Sequence, residues 1–214
     1  WVGKGWYATA SPSDTATAAT TATALITQPT LAGYAYGGYW TGKAGTGTQK
    51  ISGQKLSSTA AVSASATWYA KWTKNAVHAI TLDKNGGTGG TSTMYEWYGK
   101  GWYATSSPTV SSAAAASITA PTRAGYAYKG YATSSTATSG SYWTSASTMP
   151  SSTAFSAAKT LYAVWQKNAV STVNLFKNAG DTTTLYKTVY LWYGKGWYGT
   201  SSPTDSTTAL TTIG

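Results

Sequence analysis

Few residues in this sequence have side chains suited to catalysis. His78 is the only histidine and there is no cysteine, so a Ser-His-Asp relay has one available base and thiolate chemistry has no nucleophile or ligand. Asp83 and Asn85 offer hard oxygen ligands of the kind that Ca²⁺ prefers. Glu96, together with a lysine and an asparagine, is suited to promote an intramolecular isopeptide bond. The polar residues therefore allow three kinds of chemistry, each resting on one or two side chains.

One stretch of twelve residues occurs three times, and the rest of the chain is arranged between its copies. WYGKGWYATSSP at 97–108 agrees with WVGKGWYATASP at 1–12 at 10 of 12 positions and with WYGKGWYGTSSP at 192–203 at 11 of 12. The copies, here called the first, second and third blocks in chain order, begin 96 and 95 residues apart. A fixed period of this kind is typical of an array of similar units.

Other segments recur in the same order as the blocks. AGYAYGGY at 32–39 returns as AGYAYKGY at 124–131, and WYAKWTKNAV at 68–77 returns as LYAVWQKNAV at 161–170. ITLDKNGG at 80–87 returns as VNLFKNAG 93 residues later. We predict a tandem array of small, β-rich repeat domains of about 93 residues. The chain then contains the C-terminal part of a first repeat at 1–72, a complete second repeat at 79–165 and the N-terminal part of a third repeat at 171–214. Joints at 73–78 and 166–170 link them. Since both ends fall within a unit, we expect the chain to be a segment of a longer protein.

The repetition tests the chemical candidates, because an activity in an array of near-identical units should be present in each unit. In the third repeat the three candidates are replaced by residues of different chemistry: Ser171 for His78, Phe176 for Asp83 and Leu191 for Glu96. We therefore expect no enzymatic activity, no metal site and no cofactor.

Every block contains a lysine flanked by glycines and aromatic residues. The candidate interface or ligand-binding residues are Trp97, Tyr98, Lys100, Trp102 and Tyr103 in the second block, Trp1, Lys4, Trp6 and Tyr7 in the first, and Trp192, Tyr193, Lys195, Trp197 and Tyr198 in the third. One interpretation is packing, in which the rings build a core and the lysine lies over a ring. The other is recognition, in which exposed rings stack on sugars or bind a host protein. We predict that Trp97 and Trp102 lie in the core or in an interface between units.

Alternating apolar and polar residues predict strands. Residues 80–83 alternate and lead into the turn sequence Lys-Asn-Gly-Gly, residues 93–97 resume the alternation, and residues 160–165 form a closing strand. No segment shows a sustained apolar period of 3.6 residues, and residues 110–118 are open to a loop or a short helix. The 11 Trp and 17 Tyr supply core area that the scarce aliphatic residues do not. The expected fold is mainly β, and α+β at most.

Three of these segments together carry a resemblance to a known family. LDKNGGTGG at 82–90, PTRAGYAYKGY at 121–131 and TLYAVW at 160–165 are similar to the Listeria-Bacteroides repeat family, the B-repeats of internalin-like bacterial surface proteins. Tyr39 and Tyr131 stand where that family usually has Trp, and Tyr36 and Tyr128 where it has Phe. The resemblance implies a small β-grasp-like domain, repeated in tandem on long extracellular proteins at the cell surface and without enzymatic activity.

Charge and hydropathy narrow the choice of partners. The formal net charge is +10, but only 9% of residues are charged, and no dense cluster of Lys and Arg marks a nucleic-acid-binding face. No apolar run reaches the length of a membrane span. The partners we expect are neighbouring repeats and other copies of the chain, with polysaccharide or a host surface protein as further possibilities. Two functions follow: a structural segment of an extracellular fibre, filament or adhesin shaft, and the alternative of a multivalent binding module.

Overall fold

The computed structural model of the protein describes residues 1, 4–18, 26–56, 62, 64–115, 117–145, 149, 155–180 and 182–212. Strands make up the regular structure of these ranges, and their one helical segment is a 3₁₀ turn at Lys43–Gly45. Of the segment left open between a helix and a loop, residues 110–115, 117 and 118 form turns and irregular structure. The prediction of a mainly β fold is confirmed.

The chain forms two compact units. The first consists of Trp1–Val77 together with Trp97–Gly101, and the second of His78–Glu96 together with Trp102–Gly214. The turn at Trp97–Gly101 therefore packs with residues 1–77, although the sequence repeat places it inside 79–165.

The first unit is built on a four-stranded sheet. Its strands are β1 (Tyr34–Trp40), β2 (Gln49–Ser52), β3 (Lys55–Leu56) and β4 (Tyr69–Lys74), in the order β3-β2-β1-β4. β1 runs antiparallel to β2 and β4 and bulges between Tyr36 and Tyr39. Gly38 makes this bulge possible, because its φ is 86° and a Cβ there would lie 2.0 Å from the carbonyl oxygen of Ile51.

A five-stranded sheet contains the segments that the sequence predicted as strands. Its members are β5 (Val77–Asp83), β6 (Thr93–Trp97), β7 (Gly101–Tyr103), β8 (Tyr126–Ala132) and β9 (Lys159–Lys167), in the order β7-β6-β5-β9-β8. β5 and β9 are parallel, with Leu82 opposite Leu161. β8 runs antiparallel to β9 and bulges between Tyr128 and Tyr131, at the positions equivalent to the bulge of β1.

The core of the second unit combines aromatic rings with aliphatic and methionine side chains. The buried cluster contains Ile80, Leu82, Met94, Trp102, Ile118, Tyr131, Trp143, Met149, Leu161 and Ala163. Trp102 meets Trp143 edge to face with ring centroids 5.0 Å apart, an arrangement that complements the ring quadrupoles. Large rings thus supply much of the buried area that aliphatic residues provide in most domains of this size.

A third sheet repeats the local order of β5, β6 and β7. It consists of β10 (Val170–Phe176), β11 (Leu185–Trp192) and β12 (Gly196–Tyr198), in the order β10-β11-β12. β10 and β11 are antiparallel, and the side chains of Val189 and Trp192 on β11 are buried. Within the described residues, the structure contains no helix long and apolar enough to cross a membrane.

Candidate functional site

The second block forms a tight turn directly after β6. Trp97 ends the strand, and the N–H of Lys100 donates to the Trp97 carbonyl at 2.9 Å to close the turn. Gly99 has a φ of 74°, a conformation that glycine adopts at little cost. The turn places the Lys100 side chain back toward the Trp97 ring. The Trp97 side chain itself is fully buried, with 0% of its surface exposed.

The Trp97 indole is held against the glycine that precedes β1. Its Nε1–H donates to the Gly33 carbonyl at 2.8 Å, which satisfies the only polar atom of the buried ring. A Cβ on Gly33 would lie 2.7 Å from Cε2 of Trp97, closer than real Cβ contacts. Tyr34 meets the same indole edge to face at 5.5 Å. Only glycine therefore leaves room for this contact.

Two lysines flank the Trp97 ring. Lys74, at the end of β4, places its Nζ 4.4 Å from the ring centroid, and Lys100 places its Nζ at 4.2 Å. Ammonium groups at this distance from an indole are attracted by the negative face of the ring. The aliphatic stems of both lysines also help to cover the ring from water.

Backbone hydrogen bonds join the same segments. Gly33 donates its N–H to the Gly99 carbonyl at 3.0 Å, and Tyr98 donates its N–H to the Ala76 carbonyl at 3.0 Å. Asn75 donates its backbone N–H to Gly33 at 2.9 Å and its side-chain Nδ2–H to the Tyr98 carbonyl at 3.0 Å. We call this assembly of Gly33, Tyr34, Lys74, Asn75 and the turn 97–100 the first clamp.

The third block makes the same assembly, here called the second clamp, with equivalent residues and nearly equal distances. The Trp192 Nε1–H donates to the Gly125 carbonyl at 2.8 Å, and the Tyr126 ring lies 5.5 Å from the indole. Its remaining members are the two lysines Lys167 and Lys195, at 4.4 and 4.2 Å from the ring, and Asn168, whose side chain donates to the Tyr193 carbonyl at 3.1 Å. Trp192 is likewise 0% exposed.

The remaining candidate residues fall into two groups. The rings of Trp102, Tyr103 and Tyr198 are buried, as are the two clamp tryptophans. The rings of Tyr98, Tyr193 and Trp197 are exposed, and Tyr193 is 70% exposed. Each of these two blocks thus has both buried and exposed rings, and Trp102 is buried where its equivalent Trp197 is exposed.

In the first block, the lysine and the tryptophan are also paired, but the ring is 49% exposed. Lys4 places its Nζ 4.1 Å from the Trp1 ring and forms an ion pair with Asp14. Trp6 packs edge to face on Trp68 at 5.6 Å, and Tyr7 lies 6.2 Å from Trp1. Lysine-over-indole packing is therefore common to all three blocks, whereas the deep burial of the indole is found at the two clamps.

The polar residues first considered for chemistry have structural contacts. Asp83 accepts the backbone N–H of Asn85 at 2.7 Å, and the Asn85 amide donates to the carbonyls of Ser135 and Ala163 at 2.8 and 2.9 Å. The side chains of this pair therefore hold the turn after β5. No cluster of three or more His, Asp or Glu side chains suited to a metal ion occurs within the described ranges.

Glu96 is the buried carboxylate of the second unit. It accepts the backbone N–H of Phe155 at 2.8 Å. Burial raises the pKa of Glu96, while the hydrogen bond from Phe155 and the charge of His78 act in the opposite direction. Its observed role is to anchor the chain at Phe155.

Sequence reasoning identified the tryptophans and lysines of the blocks but not their partners. The partners are Gly33, Tyr34, Lys74 and Asn75 in the first clamp and Gly125, Tyr126, Lys167 and Asn168 in the second. These partners lie in the recurring sequences Ala-Gly-Tyr and Lys-Asn-Ala-Val. The recurrence indicated the register of the repeat, but not that these residues contact the tryptophans. Comparison of the chain with protein-family models, curated proteins and solved structures gives no significant match.

Proposed function

We propose that this chain is a non-enzymatic structural segment of a long extracellular bacterial surface protein, in which repeats pack in tandem to build a fibre, filament or adhesin shaft. The observation that carries the proposal is the clamp, formed twice with the same residue types and with indole-to-carbonyl distances of 2.8 Å. By the sequence period, Trp97 belongs to the second repeat and Gly33 to the first. Each clamp then fastens one repeat to the one before it.

The clamp has the properties that a shaft requires of a joint. It combines a buried indole, two cation–π contacts and several backbone hydrogen bonds around the short segment that links consecutive repeats. In an array whose units contact only their neighbours, the stability of the array depends on the interactions between adjacent units. A joint that immobilises the linking residues also resists proteases and pulling force.

The sheet supports the β-grasp part of the proposal. The strand order β6-β5-β9-β8, with a parallel central pair, is the order of a β-grasp sheet. Where a β-grasp domain has its helix, the described residues between β6 and β8 form the short strand β7 and otherwise turns and irregular structure. We therefore assign the unit as β-grasp-like, with the helix replaced by the block and the loop that follows it.

Location at the cell surface rests on composition and on the resemblance to the internalin-type repeats. The absence of cysteine and the abundance of Thr, Ser and Gly suit an exported protein whose stability does not depend on redox conditions. The three motifs of the Listeria-Bacteroides repeat family lie on β5 with its turn, on β8 and on β9. These strands form the centre and one edge of the five-stranded sheet.

Digestion of the full chain with a lysine-specific protease tests the structural role. All four of Lys55, Lys74, Lys167 and Lys177 are exposed, but Lys74 and Lys167 lie over the clamp indoles. We expect the bonds after Lys74 and Lys167 to be cut at least about tenfold more slowly than those after Lys55 and Lys177, because a clamped lysine must leave its indole before it can enter a protease. Mass spectrometry of the fragments gives the four rates. Equal rates at the four sites would contradict the proposal that the clamps are rigid joints.

The second candidate function is multivalent binding, and the exposed rings of Tyr98, Tyr193 and Trp197 favour it. Rings of this kind can stack on sugars. A glycan array probed with the full chain separates the two functions. The structural proposal expects no glycan to be retained above background. Binding that disappears in the Tyr98→Ser/Tyr193→Ser variant, whose clamps are intact, would instead establish the binding module.

A further inference from the structure

Asp205 joins the two sides of the second clamp. Its carboxylate accepts a hydrogen bond from Arg123 Nη2 at 2.5 Å, one from the Tyr126 hydroxyl at 3.2 Å and one from the Lys195 ammonium. Arg123 and Tyr126 lie beside Gly125, whereas Lys195 and Asp205 belong to the third block and the residues that follow it. The hydrogen bonds from Lys195 and Arg123 lower the pKa of Asp205 to about 2, so it is ionised at neutral pH.

Arg123 is held in place by more than this ion pair. Its guanidinium lies 4.1 Å from the centroid of the Tyr126 ring and also donates to the Asn85 carbonyl at 3.4 Å. These two contacts already hold the Arg123 guanidinium in position for the Asp205 carboxylate. Little side-chain entropy is therefore lost when the ion pair forms, so the pair stabilises the clamp more than an ion pair between mobile surface side chains would.

The sequence positions equivalent to Arg123 and Asp205 one repeat earlier carry apolar residues. Leu31 stands two residues before Gly33, as Arg123 stands two before Gly125, and Val110 stands two residues after Pro108, as Asp205 stands two after Pro203. Both changes replace a charge by an apolar side chain. The cation and the anion are thus present together at the second clamp, and both are replaced one repeat earlier.

Comparison with the first block distinguishes the contact of Asp205 with its own block from its contacts with the glycine turn. Asp14 occupies the position of Asp205 and pairs with Lys4 of its own block, as Asp205 pairs with Lys195. The pair between the block lysine and the acid two residues after the block thus forms whether the block tryptophan is half-exposed or buried. The hydrogen bonds from Arg123 and Tyr126 are the contacts that depend on clamping.

From these contacts we infer that the Arg123–Asp205 pair decides which block the glycine turn at Gly125 accepts as its partner. This inference rests on the proposed function, because it concerns the joints between repeats. A turn carrying Arg123 fits a block that is followed by an acid. A block without that acid would leave Arg123 without its anion, a mismatch that disfavours wrong pairings in an array of near-identical repeats.

Four variants of the full chain test the inference: Arg123→Leu, Asp205→Val, the double variant Arg123→Leu/Asp205→Val and Trp192→Ala as the reference for an opened clamp. The readout is the rate of cutting after Lys167 by a lysine-specific protease, whose sites none of the changes removes. Cutting after Lys74, at the first clamp, is the internal control and should be unchanged in all four.

We expect Arg123→Leu to raise the rate after Lys167 by about two- to fivefold, the range of a partly exposed ion pair, and Asp205→Val to raise it at least as much, because Asp205 also pairs with Lys195. The double variant should be cut more slowly than the product of the two single effects requires, because both changes remove the same ion pair. In 1 M NaCl, where the Debye length is about 3 Å, the parent should approach the Arg123→Leu variant. Single effects that multiply in the double variant, or single variants cut at the parent rate, would overturn the inference. If Trp192→Ala also leaves the rate unchanged, the clamp is not a joint and the proposed function fails with the inference.

Discussion

Replacing Trp192 by alanine is expected to lower the free energy of unfolding by about 3–5 kcal/mol, the cost of removing a fully buried large aromatic side chain. The indole is 0% exposed and its Nε1–H donates to the Gly125 carbonyl, so the change leaves a cavity and removes one of two hydrogen bonds that this carbonyl accepts, the other coming from the Asn168 N–H. It also removes the ring that Lys167 and Lys195 cover. Urea denaturation followed by circular dichroism measures the loss, and Trp97→Ala should behave alike at the first clamp.

Tyr193→Ala is the matched control for this prediction. Tyr193 is the next residue in the same turn, but its ring is 70% exposed, and its contacts with the clamp are made by backbone atoms that alanine retains. Its loss should stay within about 0.5 kcal/mol, as for ordinary surface changes. A loss of that small size for Trp192→Ala would show that the indole contributes no more than a surface ring, and the clamp would then not stabilise the chain.

The strands could be predicted from the sequence because their signals are local. Residues 80–83 and 93–97 alternate in polarity, and the Lys-Asn-Gly-Gly sequence between them supplies two residues with positive φ, Asn85 and Gly86. Such patterns depend on neighbours a few positions away. The order of the strands was not predictable in the same way, because β5 pairs with β9 across the whole of the second repeat.

The clamp could be predicted only in part, because its two sides lie far apart in the sequence. Trp97 and Gly33 are separated by 64 residues, and Trp192 and Gly125 by 67. Nothing in the local pattern shows that an indole in one block meets a carbonyl in the preceding Ala-Gly-Tyr segment. The recurrence of both motifs indicated a shared register, whereas their contact depends on how the chain folds over the residues between them.

Arg123 and Asp205 were harder still to assign, because they differ between the repeats. Repetition argued against the chemical candidates, and by that criterion Arg123 and Asp205 would be passed over, since Leu31 and Val110 stand at the equivalent places one repeat earlier. Under the proposed pairing this variation is expected. A residue that distinguishes one joint from another must vary between joints, and it must vary together with its partner.

The Trp192 indole packs so closely against Gly125 that it leaves no room for a side chain there. Gly125→Ala should destabilise the protein by about 2–5 kcal/mol, from two separate causes. The residue has a φ of 79°, which costs an L-residue about 1–2 kcal/mol. In addition, a Cβ would lie 2.7 Å from Cε2 of Trp192, an overpacking that typically costs about 1–3 kcal/mol.

Gly180→Ala isolates the first cause. Gly180 has a φ of 78°, but nothing lies within 4 Å of the position of its Cβ, so only the backbone cost of about 1–2 kcal/mol applies. The double variant Gly125→Ala/Trp192→Ala isolates the second, since the methyl group can enter the space left by the ring. Its loss should be smaller than the sum of the two single losses by about 1–3 kcal/mol, a coupling expected only of residues in direct contact. Additive losses in urea denaturation, or equal losses for Gly125→Ala and Gly180→Ala, would show that the indole does not pack against this glycine in solution.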